Sequence, residues 1–175
     1  MALGWSGVWI GGQDIVLDTS NSSKLKFIKS WITKENIFDL YSSHSALVVD
    51  VISMDLDGND LHFVEELLKN GVSSKLFITE YNAKFPPQVQ YSIPYDAEHI
   101  WRSDDYFGAS LASFVQLFDR FGYRLICSSV LPTCMPATLC STSTQGTSKR
   151  PSAPTRGYQS FSRTARSVLS YAWPL

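Results

Sequence analysis

No Asp or Glu occurs in the last 49 of the 175 residues, and no cysteine occurs in the first 126. Residues 1–126 hold all 16 acids against 10 Lys/Arg, a net charge of −6, whereas residues 127–175 hold 5 Lys/Arg and no acid, a net charge of +5. The overall charge of −1 therefore averages two different compositions joined near residue 126. No apolar run reaches the length of about eighteen residues that a membrane-spanning helix needs. The start, Met-Ala-Leu-Gly-Trp-Ser-Gly, has no basic region ahead of an apolar stretch, so a secretory leader is not expected and a cytoplasmic location is. Three cysteines (Cys127, Cys134, Cys140) make an odd count, which argues against a disulfide framework. They include no close Cys-x₂₋₄-Cys pair, and His44, His62 and His99 lie far upstream, so a cysteine-based zinc site is excluded. Free thiols in a reducing compartment remain.

The acid-free segment also carries 17 Ser/Thr and five prolines. Lys149, Arg150, Arg156, Arg163 and Arg166 alternate with Tyr158, Phe161, Tyr171 and Trp173, an arrangement that could grip single-stranded nucleic acid. A Ser/Thr/Pro/Arg-rich stretch is also one that cannot bury enough surface to order itself. So abrupt a change of chemistry is what a reading-frame shift or a mis-spliced gene produces. The expectation is a disordered or frame-shifted tail at 127–175, without nucleic-acid binding and without functional weight.

The first 126 residues read differently. Trp5–Ile10 is a short strand stopped by Gly11-Gly12. Ser20–Ser30 reads as a helix with Leu25 and Ile28 on one face, and Thr33 is the N-cap of a next helix carrying Ile37, Leu40 and Tyr41. Leu47–Met54 is a nearly continuous apolar run, as in a parallel strand covered on both faces. Asp60–Asn70 is a helix striped by Leu61, Val64, Leu67 and Leu68, with Glu65 and Lys69 at i,i+4 and Gly71 at the stop. Lys75–Tyr81 is a second buried strand, Phe107–Phe121 a strong amphipathic helix, and Tyr123–Ile126 a further strand. Strands alternating with helices mean an α/β architecture: an incomplete Rossmann-like, mainly parallel sheet flanked by helices.

In such sheets ligands sit outside the carboxyl ends of the strands. Ser53-Met-Asp-Leu-Asp-Gly-Asn-Asp60 occupies that position, and its three carboxylates within six residues are costly to crowd unless solvated, capped or metal-bound. Asp60 has a structural role at the helix N-terminus. In a calcium-loop frame Asp55, Asp57 and Asn59 fit positions 1, 3 and 5 and Glu66 position 12, but the turn-glycine position holds Asp60 and a strand precedes the loop. Asp55-x-Asp57-Gly after an apolar strand also resembles the nucleophile motif of haloacid-dehalogenase-like phosphohydrolases. That resemblance implies Asp55 as nucleophile, Asp57 as acid/base, Mg²⁺ on both, and Thr79, Lys84 and Asp104-Asp105 as the remaining parts.

A broader set of segments occurs in order. Trp5-Ser-Gly-Val-Trp-Ile10, Ile32-Thr-Lys-Glu-Asn-Ile37, Ile52-Ser-Met-Asp-Leu-Asp-Gly-Asn-Asp60 and Ile78-Thr-Glu-Tyr-Asn-Ala83 are followed by Ile93-Pro-Tyr-Asp96, Tyr106-Phe-Gly-Ala-Ser-Leu111 and Gly122-Tyr-Arg-Leu125. Over residues 4–126 the series resembles FkbM-like, class I S-adenosylmethionine-dependent methyltransferases. The resemblance implies a seven-stranded sheet, a glycine loop after a central first strand for the methionine end, and an acid ending the second strand for the ribose. This chain starts at about the second strand, so the glycine loop is missing, and Gly11-Gly12 stands where the acid is expected, with Asp14 nearby. The implied roles are Asp55 or Glu80 as catalytic base, and Asp14, Asp57, Asn59 and Asn82 toward the cofactor. The methyl acceptor is an unspecified small molecule. A non-catalytic remnant is the reading from a different class.

Glu80-Tyr81-Asn82 closes a buried strand, where it meets a substrate or simply bonds to the next loop. Phe85–Trp101 is a lid or a packed surface loop. His62 falls between the stripe residues of its helix and is expected to be exposed. His99 is a general-base candidate without a partner in sequence.

Overall fold

The computed structural model describes residues 5–14, 23–46 and 48–129, together with two strands at 137–143 and 166–169. The elements in chain order are β1 (Ser6–Gly11), β2 (Leu25–Lys29), α1 (Ile37–Ser42), β3 (Val48–Met54), α2 (Asp60–Lys69), β4 (Ser73–Tyr81), α3 (Leu111–Arg120), β5 (Tyr123–Ser129), β6 (Ala137–Ser143) and β7 (Arg166–Leu169). They form one seven-stranded sheet in the order β2-β1-β7-β3-β4-β6-β5. The β2–β1, β1–β7, β7–β3 and β3–β4 pairs are parallel, while β6 runs antiparallel between β4 and β5. The expected α/β, mainly parallel architecture is present.

Four segments depart from the sequence reading. Leu25–Lys29 is a strand and not part of a helix. The spacing of Leu25 and Ile28 mimics a helical stripe, but Lys24, Lys26 and Lys29 interleave with apolar residues as on an outer strand, where lysines blunt further pairing. The second helix starts at Ile37 with Asn36 at its N-cap position, because Thr33 is used in the preceding turn, its carbonyl accepting from the Asn36 and Ile37 amides. α3 starts at Leu111 rather than near 107: Gly108 has a φ of 60°, Ala109 bridges to Ser92, and Ser110 caps the helix through its hydroxyl. The fourth departure is the acid-free tail, which supplies β6 and β7.

On the expectation of an absent central first strand, the sheet has two outcomes, direct β1–β3 pairing or a bare slot, and neither occurs. β7 fills the slot, with Val168 opposite both Val8 and Ile52. The facing edges of β1 and β3 present backbone N–H and C=O groups that need partners, and a short extended segment supplies them with little demand on side-chain identity. Three pieces of the acid-free tail thus lie in the sheet, residues 127–129 at the end of β5 and the strands β6 and β7. The expectation of disorder for 130–136, 144–165 and 170–175 falls outside the described residues.

One core cluster joins the helices to the sheet. Val64, Leu67 and Leu68 of α2 and Phe114, Leu117 and Phe118 of α3 pack with Ile52 and Met54 of β3 and Phe77 and Tyr81 of β4. Phe77 lies at its centre, fully buried, with the rings of Phe118 at 5.2 Å and Tyr123 at 5.1 Å. Truncating such a ring costs about 3–5 kcal/mol. This packing clamps β3 beside β4 in fixed register, Met54 opposite Thr79. That register decides what stands at the carboxyl edge.

Candidate functional site at the carboxyl edge of β3 and β4

One residue past the Met54–Thr79 pair, Asp55 leaves β3 beside Glu80 of β4. One carboxylate oxygen from each of Asp55, Asp57 and Glu80 lies within 4.8 Å of the others, a grouping that could hold a metal ion. Asp55 and Asp57 are half-buried, and Glu80 is only 8% exposed. Glu80 Oε2 is buried without a hydrogen-bond partner. Asp57 adopts a φ of 56°, a left-handed conformation that Asp tolerates better than most residues.

The turn is held from below by Asp60, fully buried at the start of α2. Its Oδ1 accepts the Leu56 amide at 2.8 Å and its Oδ2 the Gly58 amide at 3.0 Å. Asp60 thus has a structural role at the helix N-terminus, as its position suggested, by holding the preceding turn. Burial, then the charge of Asp55, pushes its carboxyl up to about 7. Burial followed by Asp55 raises Asp57 to about 6. Asp55 is also raised, by burial, against a hydrogen bond from Glu80 that lowers it. Glu80 moves furthest, to about 10, through burial and then the charges of Asp60 and Asp55. The charges acting on these four groups are those of one another.

The loop that follows β4 straps this edge. The Asn59 side-chain amide donates to the Asp96 carbonyl at 2.8 Å and its Oδ1 accepts the Asp96 amide at 3.3 Å. His62 is half-buried rather than exposed, its Nε2 2.8 Å from the Ile93 carbonyl. Trp31 Nε1 donates to the Ala97 carbonyl at 2.8 Å. With the Tyr95 hydroxyl accepting the Lys34 amide and donating to Glu35, these contacts fasten the loop as a packed strap. Its passage puts His99 over the acidic turn: a Cβ built on Gly58 would stand 2.2 Å from His99 Cδ2 and 2.6 Å from Nε2. That Nε2 is buried without a hydrogen-bond partner.

The sequence-derived residues separate accordingly. Asp55, Asp57 and Glu80 come together; as a potential cation ligand Glu80 joins Asp55 and Asp57, for which the sequence had suggested Mg²⁺. Asn59 is engaged with Asp96. Asn82 is fully buried and engaged too, donating to the Asp105 and Phe107 carbonyls and accepting the Lys84 amide at 3.1 Å. Asp14 follows β1 and pairs with Lys29 at 2.6 Å, both exposed. Of the parts a phosphohydrolase would recruit, Lys84 is ion-paired to Asp105, Asp104 accepts the Tyr106 amide, and Thr79 is buried. Glu66 of the calcium-loop frame is hydrogen-bonded to Asn70. Thr79 Oγ1 is buried without a partner, and His99 over Gly58 is a feature that no local sequence signal places at this edge.

Cavities lie beside the sheet. A narrow apolar crevice of about 30 Å³ lies beside the turn, lined by Ile10, Ile37, Tyr41, Ile52, Met54 and Leu56. A much larger cavity of about 710 Å³ opens at the amino ends of β1 and β2, among Ser6, Lys24, Lys26, Ser42 and His44. It is of ligand size, yet it lies at the strand ends opposite the carboxylates. No helix among the described residues is long and apolar enough to cross a membrane. No family model, curated protein or solved structure matches the chain.

Proposed function

We propose that the chain is a methyltransferase-like domain of the S-adenosylmethionine-dependent kind, with its acceptor site at the Asp55/Glu80 edge. One observation carries this reading. The strand order β2-β1-β7-β3-β4 matches the 3-2-1-4-5 order of a dinucleotide-type sheet, with β7 in the first position. The order reverses between β7 and β3, and in open α/β sheets the ligand crevice lies at that reversal, outside the carboxyl ends. The acidic turn follows β3 directly.

The cofactor would supply a methyl group on a sulfonium, and its sulfur would leave as a thioether as the carbon bonds to an acceptor oxygen or nitrogen. The chain's own work is positioning and proton removal. With no cation bound, Glu80, raised to about 10, keeps its proton at neutral pH and hydrogen-bonds Asp55, the group we assign as the base for the acceptor's proton. Asp60 and Asn59 hold the turn that presents it.

The fit to the cofactor itself is partial. The crevice of about 30 Å³ is too small for an adenosine, and Ser170-Tyr-Ala-Trp173, without a glycine, follows β7. Affinity is therefore expected to be no tighter than about 0.1 mM, roughly −5.5 kcal/mol. Titrating S-adenosylmethionine into the labelled full chain, followed by amide shifts, tests this. Saturable shifts at residues 55–59 and 80–82 are expected. Shifts confined to the amino-edge cavity, or none at millimolar ligand, would dismiss the reading. Turnover of a phosphate ester with Mg²⁺, lost in Asp55→Asn, would replace it with the phosphohydrolase reading.

A further inference from the structure

We infer that Asp55, Asp57 and Glu80 form a binding site for one divalent cation of the oxygen-seeking, Mg²⁺/Mn²⁺ class. The inference stands on the geometry of this edge and does not depend on methyl transfer.

Distance comes first. Mg²⁺ binds oxygen at about 2.1 Å and Ca²⁺ at about 2.4 Å, so ligands on opposite sides of one ion stand about 4.2–4.8 Å apart. Three oxygens all within 4.8 Å of one another are close enough to converge on one ion after small side-chain rotations. The second observation is Glu80 Oε2. The side chain is more than nine-tenths buried, it points into the group, and that oxygen has no hydrogen-bond partner. Buried carboxylate oxygens are ordinarily paired, because leaving one unpaired costs about 1–3 kcal/mol or more. A cation bound by all three carboxylates removes that cost.

Among the described residues, several cations are engaged by other carboxylates. Lys84 is ion-paired to Asp105, Lys75 to Asp50, and Lys69 and Arg120 to Glu65. The donor set is all carboxylate, which favours hard ions over the softer metals that thiolate or imidazole ligands select. Asp55 and Asp57 are half-exposed, so solvent or a substrate oxygen has access to the remaining coordination positions. The site differs from a calcium loop. Its third ligand comes from the neighbouring strand, and Asn59 and Glu66 are bonded elsewhere.

The test is a titration of the chelator-treated full chain with Mn²⁺, read by the free-ion electron paramagnetic resonance signal and by thermal unfolding. One saturable Mn²⁺ per chain is expected, displaced by excess Mg²⁺, with a rise in Tm. Asp57→Asn, at a half-exposed position, should weaken binding at least tenfold. Glu80→Gln should raise the Tm of the cation-free protein while abolishing the Mn²⁺-dependent rise, a pair of opposite effects that a purely structural carboxylate would not give. Absence of saturable binding in the millimolar range would overturn the inference. So would binding that survives both substitutions unchanged. Mn²⁺ binding without any response to S-adenosylmethionine would uphold the cation site and count only against the methyl-transfer reading.

Discussion

The His99 ring lies against Gly58 so closely that a methyl group on the Gly58 α-carbon would stand 2.2 Å from it. Real Cβ atoms do not approach ring carbons that closely, so the strap loop and the acidic turn are mutually shaped. Glycine is needed here for proximity, not for an unusual φ.

Gly58→Ala is therefore expected to push His99 off the turn and to destabilise the protein by about 1–3 kcal/mol, the usual cost of overpacking. Chemical denaturation measures the loss, and the His99 ring proton shifts, sensitive to Tyr106 at 6.1 Å between centroids, report the displacement. Adding His99→Ala should recover part of the lost stability. An unchanged midpoint together with unchanged His99 shifts would rule out the contact.

Asn82 ties the end of β4 to the loop before α3. Its amide donates to two carbonyls, those of Asp105 and Phe107, and its oxygen accepts the Lys84 amide. Asn82→Ala removes all three bonds at a fully buried position and should cost about 2–3 kcal/mol in urea denaturation. Asn82→Asp should cost at least as much at neutral pH, since a carboxylate cannot donate to two carbonyl oxygens. A tolerated Asp would mean that the amide is not oriented in this way.

The raised carboxyls give stability a definite pH slope. Asp57 (about 6), Asp60 (about 7) and Glu80 (about 10) all titrate above the ordinary carboxylate range in the folded chain. Between about pH 4 and those values the unfolded chain has released protons that the folded chain still holds. Stability from these groups is thus complete below the ordinary range and is lost as pH rises through the folded values. In the presence of chelator, the denaturation midpoint should fall steadily from pH 5 to pH 9, and Glu80→Gln should flatten the upper part of that fall. A midpoint that rises over this window would contradict the burial of the group.

How much of this was legible in sequence depends on the range of the interaction involved. β3, β4, α2 and α3 follow from runs such as Leu47–Met54 and from the Val64/Leu67/Leu68 stripe, because burial writes itself into local periodicity. β2 was misread because five residues are too few for Leu25 and Ile28 to separate a helical from an extended period. β6 and β7 carry little apolar pattern, Ala-Thr-Leu-Cys-Ser-Thr-Ser and Arg-Ser-Val-Leu, and their places are set by strand edges elsewhere in the sheet. In the site, Asp55 and Asp57 announce themselves by crowding and Glu80 by ending a strand. Their convergence is a property of the β3–β4 register, which no single segment encodes. His99 arrives over Gly58 only because the strap is fastened at Asn59 and His62.

The account depends most on β7. Without it the order would read β2-β1-β3-β4, and the match to the 3-2-1-4-5 order that carries the methyl-transfer reading would be lost. Amide hydrogen exchange of the full chain measures this directly. Pairing on both sides of the strand predicts that the amides within Ser167–Leu169 exchange at least about a hundredfold more slowly than an unstructured chain, alongside those of Ile52 and Ser53 in β3. Exchange of the whole 166–169 segment at the unstructured rate, with β3 still protected, would contradict it.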